Sequence, residues 1–315
     1  MLTKTIRSVL GTFGLDIRKK SDGRTIRMPL QLERDMPVSA PAGADGQNGS
    51  SAAGAGLPLV KKALQLAFDT AGLEVVRLSN DVSWRAPVEL SKQERDIVAY
   101  IKQNELSSTS YERLWATAMA CKHVMDCDIP GDFVECGVMR GGHAIIAAAM
   151  FNLYGSTRKV YLFDTFAGMT TPIEKDKDAA TNTLAMSTFN ELQRDSHNDW
   201  CYASLDDVKA NFRNAGLLDD NIIFVQGDVA VTLEVPNNLP ERIATLRLDT
   251  DWYESTKKEL QILYPRLSVG GVLIIDDYGY WAGAREAVDE YFKGYNNRPF
   301  LVYNDYTGRA GVKVA

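Results

Sequence analysis

Histidine and cysteine are scarce in this chain of 315 residues, with three of the first and four of the second. Cys121, Cys127, Cys136 and Cys201 form no Cys-x-x-Cys pair and sit beside no His-rich motif, so the ligand spacing of a zinc site is missing. Thiols scattered in this way behave as small core hydrophobes and suit a reducing compartment. No stretch holds the ~18–20 apolar residues that a membrane span needs. Met1 to Ile17 lacks the continuous apolar core and small-residue cleavage site of a secretory leader, and a cytoplasmic protein is expected. Positive charge is also short. Lys and Arg number 35 against 41 Asp and Glu, and a net charge of −6 is the wrong sign for a nucleic-acid partner. What remains is an ordinary mixture, 45% hydrophobic, enough for one large α/β domain with an appendage.

The chain is punctuated by Ser39 to Gly56, which has almost no large side chains and reads as a flexible linker, residues 39–56. Before it, residues 1–38 form a basic segment with Leu2, Ile6, Val9, Leu10 and Phe13 at helical spacing. Docking of this helix on the protein or its oligomer partner is favoured over contact of residues 1–20 with an anionic membrane surface. Residues 57–108 are expected to be a helical extension, and residues 109–315 the main domain. Ile6–Lys19 and Leu64–Leu78 echo one another, each an apolar helical stretch stopped by a glycine, Gly14 or Gly72, and followed by Leu, an acid and a β-branched residue.

From Leu90 onward the pattern is regular. Ser91–Asn104 opens with a capping box, Ser91 with Glu94 three residues on, and Ser110–Cys127 reads as a second helix closed by Pro130-Gly131. Short β-branched runs then alternate with helical ones. Strands are expected at Phe133–Val138, Val160–Asp164, Ile222–Val225, Thr245–Asp249 and Val272–Asp276, with terminal strands at Phe300–Tyr303 and Gly311–Val314. Helices are expected at Gly142–Tyr154, Leu205–Ala215 and Trp281–Phe292. This alternation predicts a mostly parallel sheet with helices on both faces, and ligands outside the carboxyl ends of its strands.

Two groups of residues fall at those ends. Glu135-Cys136-Gly137-Val138-Met139-Arg140-Gly141-Gly142 turns the first strand into a helix, where glycines admit a ligand to the backbone and helix amides face it. Asp164, at the end of the next strand and about twenty residues further on, suits ribose hydroxyls. Loop and acid together fit either NAD or S-adenosylmethionine. Asp228 can reach an adenine amino group or simply cap the segment after it. The second group is acidic: Asp249 and Asp276-Asp277 end two consecutive strands, and neighbouring strands lie ~5 Å apart. Carboxylates so close repel one another unless a cation lies between them, and hard oxygen ligands suit Mg²⁺. Asp251, two residues past Asp249, is placed to take the proton of a metal-held hydroxyl.

GDFVECGVMRGG (Gly131–Gly142), VYLFDTFAGM (Val160–Met169), LRLDTDWYESTKKELQILYPRLSVGGVLIIDDYG (Leu246–Gly279) and AREAVDEYF (Ala284–Phe292) together resemble the macrocin O-methyltransferase family. The resemblance runs from about Thr109 to the C-terminus. It implies a class I methyltransferase fold, a Rossmann-like seven-stranded sheet with an antiparallel last strand, here behind a helical N-terminal appendage. It also implies S-adenosylmethionine as cofactor, with contacts at Glu135, Gly137, Val138, Gly141, Asp164, Thr165, Gly227, Asp228 and Asp249. Mg²⁺ or another divalent cation would be held by Asp249, Asp276 and Asp277, with Asp251 as base. The acceptor would be a small-molecule hydroxyl, typically of a sugar or glycoside, and the chain a homo-oligomer. The family usually has an aromatic where Met139 stands and an aromatic-Phe pair where Asp228-Val229 stand. Thr170 to Tyr202 corresponds to the family's variable lid, and its Lys175, Asp176, Lys177 and Asp178 offer little apolar surface to a macrolide.

Other readings remain at this stage. An NAD-linked sugar oxidoreductase would leave the Asp pair unexplained and lacks a Tyr-x-x-x-Lys motif after the fourth strand. A catalytically inactive scaffold of the same fold is countered by the intact carboxylates. His143 opens the helix after the glycines and can face cofactor or substrate. Trp252, Tyr253 and Trp281 flank the acids, with core packing as their expected role.

Overall fold

The computed structural model describes Leu15–Lys19, Leu73–Arg77 and residues 86–315 of the chain, which divides into two units at residue 86. In the first unit β1 (Leu15–Lys19) and β2 (Leu73–Arg77) pair antiparallel, with Ile17 opposite Val75. These are the segments that follow Gly14 and Gly72 in the internal echo. Leu73–Arg77 is a strand within residues 57–108, the stretch read from the sequence as a helical extension: its Val75-Val76 pair is β-branched, stiff at χ1 and better suited to a pleated surface. The linker and the helical stretches expected before each glycine lie outside the described residues.

The second unit opens with α1 (Lys92–Gln103) and α2 (Tyr111–Asp126). The capping box at Ser91 and Glu94 is present, and Glu94 is also drawn into a part-buried network with Tyr154 and Lys122. There follow β3 (Asp132–Cys136), α3 (Gly142–Leu153), β4 (Val160–Asp164), α4 (Ala185–Leu192), α5 (Leu205–Asn214), β5 (Ile222–Gln226), α6 (Val229–Thr232) and β6 (Ile243–Leu248). The chain ends in α7 (Tyr253–Leu263), β7 (Leu267–Ile275), α8 (Ala282–Phe292), β8 (Val302–Tyr303) and β9 (Arg309–Val312). The sheet order is β5-β4-β3-β6-β7-β9-β8, parallel up to β7, with β9 antiparallel to both of its neighbours. This is the class I methyltransferase arrangement that the resemblance implied. No helix among the described residues is long and apolar enough to cross a membrane.

Alternation along the strands splits the core in two. Phe133, Leu162 and Ile274 pack toward α1, α2, α3 and α5, whereas Val134, Phe163, Leu246 and Ile275 pack toward α7 and α8. Strand β6 is buried at every position, as a central parallel strand covered on both faces should be. Truncating one of its core residues, as in Leu246→Ala, should cost about 2–5 kcal/mol.

The register matters most where the strands stop. Cys136 lies beside Leu248 and Leu248 beside Ile275, so Gly137, Asp249 and Asp276 leave the sheet together. Backbone hydrogen bonds continue one step beyond the strands: Gly137 to Phe163, Asp249 to Cys136, Asp276 to Leu248 and Gly227 to Asp164, all within 2.8–2.9 Å. Three helices were not anticipated from the sequence: α7 after the acidic loop, α4 within the polar excursion and the single turn α6.

Candidate functional site

One cleft at the carboxyl ends of β3, β4, β6 and β7 is lined by Glu135, Gly137, Val138, Asp164, Thr165, Gly227, Asp228, Asp249, Asp251, Asp276 and Asp277. It encloses roughly 1030 Å³, mouth included. Every anticipated site residue therefore faces a single space except Gly141. That residue starts α3 at a φ of +87°, and a Cβ there would meet Phe212 and Val208 rather than the cleft. Gly137 has a sharper requirement. A Cβ on it would lie 1.9 Å from the Asp249 carbonyl oxygen, so only glycine lets the two loops touch.

On the cofactor side, Asp164 holds the glycine loop. Its Oδ2 accepts from the amides of Val138 (2.6 Å) and Met139 (3.2 Å), and its Oδ1 from Phe166 (2.7 Å). Asp228 caps α6, its Oδ1 accepting from the Ala230 amide at 2.8 Å, which is the capping alternative seen in the sequence. Glu135 is 1% exposed, and its Oε2 lines up with no hydrogen-bond partner. Burial pushes its carboxyl up to about 7, against the pull of Arg247.

Arg247 organises the acidic side and was quoted in the sequence motif without a role. It is fully buried and binds Glu135 Oε1 and Asp249 Oδ2, both at 2.7 Å, and also Asp276. A cation in the otherwise apolar strand IATLRL, two residues before Asp249 and so on the same face, was the available signal. Arg113 from α2 supplies the second guanidinium and bridges Asp276 to Asp305. Burial raises the Asp276 carboxyl, but Arg247 and Arg113 outweigh it and hold the group well below the usual carboxylate range.

The other acids are less well compensated. Oxygens of Asp249, Asp251 and Asp277 lie within 4.8 Å of one another, a spacing that one divalent cation can bridge. Burial first, and then the neighbouring acids, raise Asp249 and Asp277 well above the ordinary range and Asp251 to about 8. Asp276 is not part of this trio, since Arg247 and Arg113 engage its two oxygens. An ionised carboxylate has about four lone-pair sites, so those contacts still leave it able to reach a cation.

Asp251 sits in a three-residue turn with φ +69°, closed by the Trp252 amide donating to the Thr250 carbonyl at 2.8 Å. Such a γ-turn is rare and strained for a residue other than glycine. Beneath it, Thr250 contacts Ser255 and the fully buried Glu259, both at 2.8 Å. His143 is 4% exposed and fixed between the Thr109 and Thr117 hydroxyls at 2.9 and 2.7 Å, and burial lowers its pKa well below the ordinary value.

The polar excursion, which the resemblance equates with a lid, folds back onto the domain beside the cleft. Asp176, 1% exposed, accepts from the amides of Ile173 and Tyr253, both at 2.8 Å, and Gly283 leaves room for it. Trp252 Nε1 donates to the Thr170 carbonyl at 2.9 Å. The lid is less polar than its sequence suggests, because it delivers Trp200 edge-on to Trp252 and Trp281 at 5.6 and 5.9 Å. Trp252, Tyr253 and Trp281 are buried, in keeping with the packing role expected of them.

Comparison with known proteins agrees with this geometry. A tetracenomycin 4'-O-methyltransferase of Streptomyces olivaceus, which acts on a dimethoxyrhamnosyl derivative by its name, is 42% identical over 164 residues, 52% of this chain and 58% of that protein. The demethyldecarbamoylnovobiocin O-methyltransferase of Streptomyces niveus is 33% identical over 198 residues, 62% of this chain and 71% of that one. The match thus spans little more than half of the first relative. The solved structure of the O-methyltransferase NovP superposes with a TM-score of 0.56 at 31% identity, covering 65% of this chain and 81% of that one. Residues 73–307 match the family model described as macrocin-O-methyltransferase (TylF), well over half of the 315 residues, and the chain belongs to that family.

Proposed function

We propose that this chain is an S-adenosylmethionine-dependent O-methyltransferase that methylates a sugar hydroxyl of a glycosylated natural product, with a divalent cation, Mg²⁺ by its ligand chemistry, at the acidic loops. The observation that carries the reading is the trio Asp249, Asp251 and Asp277, within 4.8 Å and facing the same cleft as the glycine loop. The relatives' printed activities support a glycoside acceptor.

The residues present fit both groups. Glu135 keeps a buried oxygen without a partner beside Gly137, suited to an ammonium group of the cofactor. Of the seven carboxylates that line the cleft, five, Glu135, Asp249, Asp251, Asp276 and Asp277, gather around the only two guanidinium groups in its lining, Arg113 and Arg247, which leaves negative charge for a divalent ion to neutralise. S-adenosylmethionine would supply an electrophilic methyl group, and the cation the charge that lowers a hydroxyl's pKa. Asp249 and Asp277, with Asp276 alongside, hold the cation in this reading. Asp251 accepts the acceptor's hydroxyl proton as the oxygen–carbon bond forms and the sulfur–carbon bond breaks. The docked lid excludes water, so alignment of the two reactants provides most of the rate.

The test is methyl transfer from radiolabelled S-adenosylmethionine to a panel: demethyldecarbamoylnovobiocin, a demethylated rhamnosyl-tetracenomycin and demethylated sugar nucleotides. Transfer to at least one member, abolished by EDTA and restored by Mg²⁺, is expected. Titration with S-adenosylhomocysteine should show binding that survives Asp251→Ala. An absence of binding would sink the cofactor assignment, and EDTA-resistant turnover the metal.

A further inference from the structure

Strain in the backbone at Asp251 has to be opposed by what its side chain touches. Its Oδ2 accepts from the indole Nε1 of Trp281 at 2.9 Å. Trp281 is 6% exposed and is fixed from three directions. Trp252, from the loop that carries Asp251, meets it edge-on at 5.0 Å. From the lid come Trp200, at 5.9 Å, and a β-bridge from Asp178 to the Trp281 backbone. From the loop after β7, the Asp277 carbonyl accepts from the Trp281 amide at 3.0 Å. An indole N–H is a donor only. It therefore always presents a hydrogen to the carboxylate and cannot compete with it for a proton.

We propose that Trp281 is a positioning residue for methyl transfer: its N–H fixes the Asp251 carboxylate toward the acceptor, and the docked lid in turn seats Trp281. The proposal rests on Asp251 being the proton acceptor of the preceding section. Lid docking is thereby linked to the orientation of the base through a single ring. An acceptor enclosed by the lid meets an oriented carboxylate, whereas with the lid undocked the ring loses Trp200 and the Asp178 bridge.

Two measurements on the full chain test this. In ¹H–¹⁵N spectra with S-adenosylhomocysteine bound, Trp281→Phe identifies the Trp281 indole signal by its disappearance. That signal should move upfield in Asp251→Ala, and a signal that stays in place overturns the contact. For the role, replacing Trp281 with 3-benzothienylalanine removes only the N–H and keeps the ring's shape. With the best acceptor of the panel, kcat should fall about 10- to 100-fold, as for the loss of a hydrogen bond to a charged group. KM and the affinity for S-adenosylhomocysteine should stay within about twofold, and 5-fluorotryptophan, which retains the N–H, should recover most of the rate. Equal kcat with and without the N–H overturns the role. A shifted indole signal in a chain that methylates none of the panel refutes the methyl-transfer reading, and the role with it, while the contact stands.

Discussion

Glu259 is a carboxyl with no exposed surface, held under the acidic loop by the Thr250 hydroxyl. Thr250 has one proton, and it lies equally close to Ser255, whose own hydroxyl points to the Trp252 carbonyl at 3.1 Å. Thr250 can therefore give Glu259 Oε1 no more than a share of one hydrogen bond, and Glu259 Oε2 is buried with no partner, too little to hold a charge there. Burial raises the carboxyl from 4.5 to about 8, in agreement with a neutral acid at physiological pH. An unfolded chain loses this proton near the ordinary value, whereas the folded chain keeps it. Over that interval stability therefore falls as pH rises: the contribution is complete below the unfolded value and gone above the folded one. A tenfold change in proton affinity is worth about 1.4 kcal/mol, so roughly 2–3 kcal/mol should be lost between about pH 5.5 and about pH 7.5. Glu259→Gln keeps an oxygen to accept from Thr250 but has nothing to titrate. Urea denaturation of both proteins at the two pH values should show the variant gaining that amount relative to the parent. Parallel stability curves would refute the neutral-acid assignment.

Removing Arg247 as Arg247→Met strands Glu135 and Asp276 in the core, at a cost of about 3–5 kcal/mol in urea denaturation, and adding Glu135→Gln should recover part of it. A loss below about 1 kcal/mol would mean that the acids are neutralised some other way. Asp164→Ala frees three loop amides and should weaken S-adenosylhomocysteine at least about tenfold by calorimetry, since each bond to a charged group is worth about 1.5–3 kcal/mol. Gly283→Ala places a methyl group 2.2 Å from Asp176 Oδ1 and should undock the lid. Limited proteolysis should then cut between Ile173 and Trp200 faster than in the parent, and an unchanged digest would show that Asp176 does not hold it.

Much of this site was legible because it is built from short, ordered motifs. The strands end within a few residues of their expected positions, and Asp164 and Asp249 fall where strand ends put them. Chemistry that depends on partners distant in sequence was not legible. Nothing in the run around Asp276 shows that Arg113, from a helix far earlier in the chain, would claim one of its oxygens. For the same reason Asp251, assigned from sequence only as a base, joins Asp249 and Asp277 in the trio whose oxygens lie within 4.8 Å of one another. The lid misled through its charge run. Lys175 lies over the Tyr253 ring and pairs with Glu286 outside, while Asp176, its neighbour, points inward. A chain of alternating charges does not reveal which member turns in.

The near-contact of Gly137 with Asp249 has a practical consequence for redesign. The donor half and the acid half of the cleft are laced into one plate by the amides that run on past the strands. Neither half can be reshaped without disturbing the other, so variation at Gly137 should be tolerated poorly whatever the acceptor. The excursion from Thr170 to Tyr202 leaves this plate and returns to it, anchored by Asp176, the Trp252 indole, the β-bridge at Asp178 and the Lys175–Glu286 pair. It is the natural unit to graft. Exchanging it between relatives would require Trp200 and Asp178 to be kept along with Gly283 and Trp281, since both bear on the ring beside Asp251.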